Sequence, residues 1–334
     1  IRYWEMWNEP DFPSDQWVGG FWDGSVADYY RLLKVGYIAV KAADPEAVVL
    51  MGGLMYWRLP GWFGQLLDLM RDDTLPISGY WPYFDVLPWH WYSTASDLYW
   101  KTRWARTQLS NRGLPLKPIW VNETNVPVWN DYPGDGNEGD YKATIEEGAS
   151  FVIQAAAWAF AAGVERIFVH QLYDDGTHSS EAFGLVRNFP DAPVYRYDGT
   201  PRPSYTAYQV ASNYLAELTS PQRTNHGNWE ELSFSNGSGQ RVRVVWATVG
   251  TAVAANVSAS ATQATRIGQD GTTSTIYPSG GSYGLTLPGA TNYNNPGLCP
   301  PDPDKPCIAM IGGKPYILVE YSDHAPPTSR VETL

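Results

Sequence analysis

Short apolar runs alternate with longer stretches whose apolar positions recur three and four residues apart over the first two thirds of the chain. This pattern predicts βα units around a parallel sheet. Five strands are expected, over Arg2 to Trp7, Ala47 to Tyr56, Phe84 to Trp91, Pro118 to Asn122 and Glu165 to Leu172. The second, AVVLMGGLMY, is apolar throughout, as befits a strand covered on both faces. A helix is expected over Val26 to Ala43, where Tyr30, Leu33, Tyr37 and Val40 keep helical spacing until Asp44-Pro45 stops the run. Four more are expected over Trp62 to Arg71, Ser96 to Asn111, Ile145 to Ala162 and Ser204 to Leu218, with Gly113 and Gly163 as stops for the second and third of these.

From about residue 221 the period changes. WEELSF, RVRVVWA, ATRIGQ, STIYP, YGLTL and YILVEY are short alternating segments separated by Gly, Ser, Thr and Asn turns. They predict an all-β module, most simply a sandwich. The expected division is therefore an α/β part over 1–218 and a β-sandwich over 219–334. The opening residues, Ile1-Arg2-Tyr3-Trp4-Glu5-Met6-Trp7, alternate like a buried strand and have neither a basic leader nor an apolar signal core. The chain is expected to enter its fold partway through.

Composition narrows the classes. A chain of 334 residues that is 43% hydrophobic can bury a sizeable core, which excludes disorder as its main state. The longest apolar stretch, Phe151 to Val164, is dominated by alanine and carries Gln154, and it falls short of a membrane span. A net charge of −12, with no cluster of Lys and Arg, argues against nucleic acid and favours a neutral partner. Sixteen Trp and 22 Tyr supply rings suited to stacking on sugar faces, although most are expected to be ordinary packing residues. Cys299 and Cys307, in NNPGLCPPDPDKPC, read better as one loop-stapling disulfide than as a metal site. That pairing favours an oxidising compartment, hence an extracellular or secreted protein. Sequons at Asn122, Asn236 and Asn256 are compatible with it. No metal-ligand spacing, phosphate loop or nucleotide fingerprint occurs, so no cofactor is expected.

The chemistry gathers at strand ends. Trp7-Asn8-Glu9-Pro10 directly follows the first strand, and Glu123, in Ile119-Trp120-Val121-Asn122-Glu123-Thr124-Asn125, ends the fourth. Carboxylates at the C-terminal ends of parallel strands sit where βα folds place their catalysts. Two of them facing one pocket are what glycoside hydrolysis needs, one to protonate the leaving oxygen and one to attack the anomeric carbon. Trp89-His90-Trp91-Tyr92 ends the strand between them and offers groups that can orient a carboxylate. Trp120, beside Glu123, and Tyr173, after the fifth strand, are candidates for contact with a sugar ring. Asp11, Asp15, Asp174 and Asp175 read as solvated rim charges, and one or two of Trp17, Trp22, Trp57 and Trp129 are expected to form subsites. In the β module only Trp229 and Trp246 offer a planar platform.

Taken in order, the NEP tripeptide, the H-x-Y element at His90 and Tyr92, and the segment Pro118-Ile119-Trp120-Val121-x-Glu123 resemble the clan A glycoside hydrolases. The closing residues Gly184-Leu185-Val186 and Asp198-Gly199-Thr200-Pro201-Arg202-Pro203-Ser204-Tyr205 are similar to those of family 39. The resemblance covers residues 1 to about 218. It implies strands four to eight of a (β/α)8 barrel, so that strands one to three come from an upstream segment or a second polypeptide chain. It also implies a retaining cleavage of β-glycosidic bonds in an oligo- or polysaccharide, with Glu9 as general acid/base and Glu123 as nucleophile. Asn8 would contact the hydroxyl next to the anomeric carbon, His90 or Tyr92 would orient Glu123, and Tyr173 would replace the strand-eight tryptophan common in the clan. The competing reading is a non-catalytic glycan-binding or cell-surface protein with a degenerate barrel; retention of both carboxylates argues against it.

Overall fold

The structure is a computed structural model that describes residues 1–16, 19–74, 76–131, 141–174, 182–187, 199–235, 240–292 and 311–320. The chain clusters into two compact units. The first comprises Ile1–Tyr92, Asp97–Asn125 and Ala162–His170, and the second Ser93–Ser96, Val126–Ala161 and Gln171–Leu334.

The first unit holds five parallel strands that neighbour one another in chain order: β1 (Tyr3–Asn8), β2 (Val48–Gly53), β3 (Leu87–His90), β4 (Ile119–Thr124) and β5 (Arg166–Val169). β1 pairs with β2 and β4 with both β3 and β5, while bridges at Leu50 to Val86 and Leu54 to Trp89 join β2 to β3. The sheet is strongly curled. In a flat sheet β1 and β4 would lie three strand spacings apart, about 14 Å. Instead Asn122 of β4 donates Nδ2 to Oε1 of Glu5 on β1 at 2.8 Å, and Arg166 of β5 stacks its guanidinium 5.2 Å from the Tyr3 ring.

Helices α1 (Val26–Ala43), α2 (Trp62–Arg71) and α3 (Asp97–Asn111) follow β1, β2 and β3. Ser25 starts α1 through a capping box with Asp28, satisfying two of the free amides at the helix N-terminus. Tyr29, Leu33 and Tyr37, four apart, form its buried stripe. The stripe includes Tyr29 where the spacing predicted Tyr30, because the Tyr29 hydroxyl is needed inside. It donates to the Met6 carbonyl and accepts from the Gly52 amide, joining β1 to β2. The Tyr30 hydroxyl turns outward to Asp73.

In the second unit α4 (Ile145–Ala161) is buried from Glu147 through Ala159, on every side of the helix. Gln154, in the middle of that run, is matched by the Gly313 carbonyl and the Gly312 amide. α5 (Pro203–Tyr214) ends earlier than predicted, since Leu215 caps it and Glu217 turns left-handed ahead of the next strand. Strands β6 (Thr219–Asn225), β7 (Trp229–Ser235), β8 (Arg241–Ala247), β9 (Val253–Ser258), β10 (Ala264–Gly268), β11 (Thr273–Ile276), β12 (Ser282–Leu287) and β13 (Tyr316–Glu320) follow. Six of them form a sheet in the order β11-β10-β13-β8-β7-β6, and β12 pairs with β9. Val253, Ala255 and Val257 of β9 and Tyr283, Leu285 and Leu287 of β12 share one apolar core with Trp229, Val245 and Leu318 of the larger sheet.

Candidate active site

The site grows from the ends of β1, β2, β3 and β4. β1 leaves regular strand geometry where its chemistry begins, with Trp7 at φ 83° and Glu9 at φ 43°. Side chains rarely occupy that left-handed region, and such strain persists where surrounding contacts over-determine it. Here the contacts come from β2, whose paired glycines make room. A Cβ on Gly52 would stand 3.0 Å from the carbonyl oxygens of Met6 and Trp7 and from Cδ of Pro10, and Gly53 accepts the Glu9 amide at 3.1 Å. A Cβ on Gly53 would fall within 2.4 Å of the His90 ring. The twin glycine in the second apolar run therefore seats both the turn that carries Glu9 and the imidazole beside it.

Nδ1 of His90 lies 2.8 Å from Oε1 of Glu9 and 3.5 Å from Oε2 of Glu123, and the Tyr92 hydroxyl donates to that same Glu123 oxygen at 2.8 Å. His90 or Tyr92 is expected to orient Glu123; in the structure Tyr92 bonds to Glu123 while His90 has Glu9 as its short partner. Glu9 and His90 are buried, whereas Glu123 is partly open. Burial opposes a charge on His90, but the bond to Glu9 and the fields of Glu123, Glu9 and Glu5 outweigh it and raise its pKa. One oxygen or nitrogen from each of Glu9, His90 and Glu123 lies within 4.8 Å of the others. Two carboxylates and an imidazole could ligate a cation. Here Nδ1 of His90 already bonds to Oε1 of Glu9, and Oε2 of Glu123 accepts from the Tyr92 hydroxyl.

A β-bulge brings Glu123 inward. Trp89 opposes Val121 but His90 opposes Glu123, so Asn122 is the extra residue. Regular alternation would send Asn122 and Glu123 to opposite faces; the bulge lets Asn122 reach Glu5 while Glu123 reaches Tyr92. The side-chain nitrogen of the Asn122 sequon is thus engaged within the sheet. Glu5, not foreseen from the sequence, accepts from Asn122 and from the Gly53 amide at 2.8 Å each. Although Glu5 is exposed by surface area, its carboxylate is partly desolvated where it meets Asn122 and Gly53, which raises its pKa against those bonds and the nearby His90. A signal existed, since Glu5 alternates with the ring-bearing Tyr3 and Trp7 in the first strand.

Other expected residues separate. Asn8 is the exposed last residue of β1, paired with Gly53. Trp120 is buried, packed with Leu50 and Val86, 5.5 Å from the Tyr3 ring and covered by Arg166, which corrects its assignment to the sugar site to a packing role. Tyr173 is exposed in the second unit, bridged to Val186. Asp11 and Asp174 are buried, not solvated: backbone amides satisfy Asp11 and Arg202 pairs with Asp174. Burial first, with the charge of Glu9 adding, lifts the Asp11 pKa to about 6 against three backbone bonds. Trp229 and Trp246 are buried and so cannot serve as open platforms. Cys299, Cys307, Trp17 and Asp175 lie outside the described residues.

No protein-family profile matches the chain. It is 24% identical over 241 residues to a beta-xylosidase of Caldicellulosiruptor saccharolyticus, a match covering 65% of this chain and 42% of that protein. A family 39 glycoside hydrolase from Bacteroides cellulosilyticus WH2 superimposes with a TM-score of 0.63 at 18% identity, covering 96% of this chain and 58% of that one. A GH30 endoxylanase from Clostridium papyrosolvens C71 gives 0.58 at 12% identity, and an alpha-L-arabinofuranosidase from Thermotoga maritima 0.59 at 14%; each match covers 96% of this chain and 66% of the other. The chain thus spans about two fifths of the xylosidase and under two thirds of the family 39 enzyme. Its α/β fold is that of glycoside hydrolases of the clan A type, with the Glu9, His90 and Glu123 cluster at the strand ends.

Proposed function

We propose that the chain is the C-terminal part of a retaining β-glycosidase. The observation that carries this reading is the approach of Glu9 and Glu123, from the ends of β1 and β4, to within 4.8 Å around one imidazole. Retaining enzymes hold their carboxyls about 5–5.5 Å apart and inverting ones about 6.5–9.5 Å, since inversion needs room for a water between carboxylate and sugar. Glu123, partly open and held by Tyr92, attacks the anomeric carbon while buried Glu9 gives its proton to the leaving oxygen. The glycosyl ester so formed is then hydrolysed by a water that Glu9 deprotonates. His90, bonded to Glu9 and near Glu123, takes part in the shared charge as the proton leaves and returns. Asn8, exposed at the end of β1, meets the hydroxyl beside the anomeric carbon in this reading.

In this reading β1 to β5 are strands four to eight of a (β/α)8 barrel, residues 1–218 are its module and 219–334 form a β-sandwich. Support comes from the curl of the sheet and from β1, which is exposed on both faces and at its outer edge among the described residues. Strands one to three would come from an upstream segment or a second chain. The protein is proposed to be secreted, and its substrate a β-linked neutral oligo- or polysaccharide. Xylosides come first, given the xylosidase and the endoxylanase among its relatives, with glucosides and mannosides as alternatives.

The test is labelling with 2-fluoro-β-xyloside followed by peptide mass analysis, run beside two variants. Label on Glu123, loss of turnover in Glu123→Gln, and a Glu9→Ala enzyme that works only on activated aryl glycosides and yields glycosyl azide when azide is added are expected. Equal residual activity of both variants on every substrate would overturn the two roles. A protein that binds the sugar but takes no label would be a lectin-like one.

A further inference from the structure

Asp11 lies two residues beyond Glu9 and is only 2% exposed. It is spent on the segment that leaves β2: Oδ1 accepts from the Met55 amide at 3.1 Å and Oδ2 from the Tyr56 amide at 2.7 Å. Tyr56 stands at φ 67°, a left-handed conformation that costs a tyrosine energy and needs outside support. Beyond it the rings form a wall. Trp57 lies 5.6 Å from Tyr56 and 5.0 Å from Trp91 at an interplanar angle of 34°. Lys101 places Nζ 3.7 Å from the centre of the Tyr56 ring, and Trp104 packs 5.2 Å from it.

Two features set this apart from ordinary packing. Trp91, on which Trp57 packs, donates its amide to the Glu123 carbonyl at 2.8 Å, so the wall is tied to the strand end that carries Glu123. Trp57 remains 41% exposed although it ends a strained, clamped segment. Strain that presents a ring to solvent stabilises no core, whereas sugars stack their C–H faces on such rings. Burying a carboxylate on backbone amides is costly as well, and the burial-driven rise of the Asp11 pKa reflects it.

We propose that Asp11 is a positioning residue that holds Trp57 as one wall of the sugar cleft, so that the clamp governs how β-linked neutral glycosides bind more than how their bonds are cleaved. The ligand class rests on the glycosidase reading; the clamp does not.

The test uses the intact protein and its Asp11→Asn, Trp57→Ala and doubly substituted forms. Hydrogen exchange at the Met55 and Tyr56 amides is followed beside KM and kcat on β-1,4-xylooligosaccharides. Losing bonds to a charged acceptor should speed exchange at those two amides about tenfold or more in Asp11→Asn. KM should rise about tenfold while kcat falls far less, and Trp57→Ala should raise KM by about three- to tenfold through the lost stacking. The double variant should bind no worse than the weaker single one, because both act through one ring. Unchanged amide exchange in Asp11→Asn, or unchanged KM in Trp57→Ala, would overturn the proposal. If the wild type cleaved no glycoside, the glycosidase reading would fail by itself. Oligosaccharide binding followed by tryptophan fluorescence would then replace KM, and absence of binding by the wild type would overturn this inference too.

Discussion

Replacing Gly53 by alanine should disable the site by moving one ring. The added Cβ would lie 2.1 Å from Nε2 and 2.4 Å from Cδ2 of His90. Carbon contacts relax near 3.5–4.0 Å, so the imidazole must retreat by about 1.5 Å. That stretches the 2.8 Å contact with Glu9 past the range of a hydrogen bond. A bond to a charged partner contributes about 1.5–3 kcal/mol, or roughly 10- to 100-fold in rate, and a misplacement of about 1 Å costs a comparable factor. Gly53 is not among the left-handed glycines, so alanine suits its backbone, and the strand alone would gain about 0.5–1 kcal/mol. The clash is therefore the whole effect. We expect kcat/KM on an aryl xyloside to fall about 10- to 100-fold in Gly53→Ala. In a His90→Ala background the same change should cost no activity and should raise the melting temperature. A fully active Gly53→Ala enzyme, or equal loss of stability in both backgrounds, would refute the reasoning.

Tyr92→Phe removes the donor to Oε2 of Glu123 and should lower kcat about tenfold with little change in fold, read from steady-state kinetics beside circular dichroism. Arg202, whose side chain is wholly buried, pairs with Asp131 and Asp174 at 2.8 Å each; Arg202→Ala removes the cation facing buried Asp174, while Arg187 still pairs with Asp131, and should cost about 3–5 kcal/mol in denaturant unfolding. Asp11 is raised from 3.8 to about 6, so the stability it contributes is full below 3.8 and lost as pH rises through about 6. At 1.36 kcal/mol per pH unit this group makes the protein about 3 kcal/mol less stable at pH 7 than at pH 3.5. Asp11→Asn should remove that slope from a series of melts, and an unaltered slope would show that Asp11 does not titrate there.

Much of the architecture is legible in local pattern. α1 and α2 fall where apolar spacing predicts them, because the stripe lies within one helix; α1 also carries its own cap at Ser25. β6 and β9 escape it for different reasons. β6 is almost wholly exposed and contains Pro221, so it has no buried face to show as alternation. β9 does alternate, with Val253, Ala255 and Val257 buried against Ala254, Asn256 and Ser258, but two alanines in its first half and its small side chains leave the pattern too faint to read as a strand. The carboxylates were legible too, since a strand end followed by Asn-Glu, twice, is a local signature.

Partnership was decided only by the tertiary structure. His90 bonds to Glu9 across 81 positions of sequence, Asn122 to Glu5 across 117 and Asp11 to Met55 across 44. Each pairing follows from strand register and from one bulge, and a register shift of a single residue would send these side chains to the other face. Hence Asp11 reads as a loop charge in the sequence yet is a buried clamp, and Trp120 reads as a sugar platform yet packs beneath Arg166. Gly53 reads as one glycine in an apolar run, and only the fold lays the His90 ring across it. Local pattern therefore determined most of the strands, the places of the helices and the two carboxylates, because their signals lie within a few residues of one another. The curl of the sheet decided which side chains meet, because it joins residues that the chain keeps far apart.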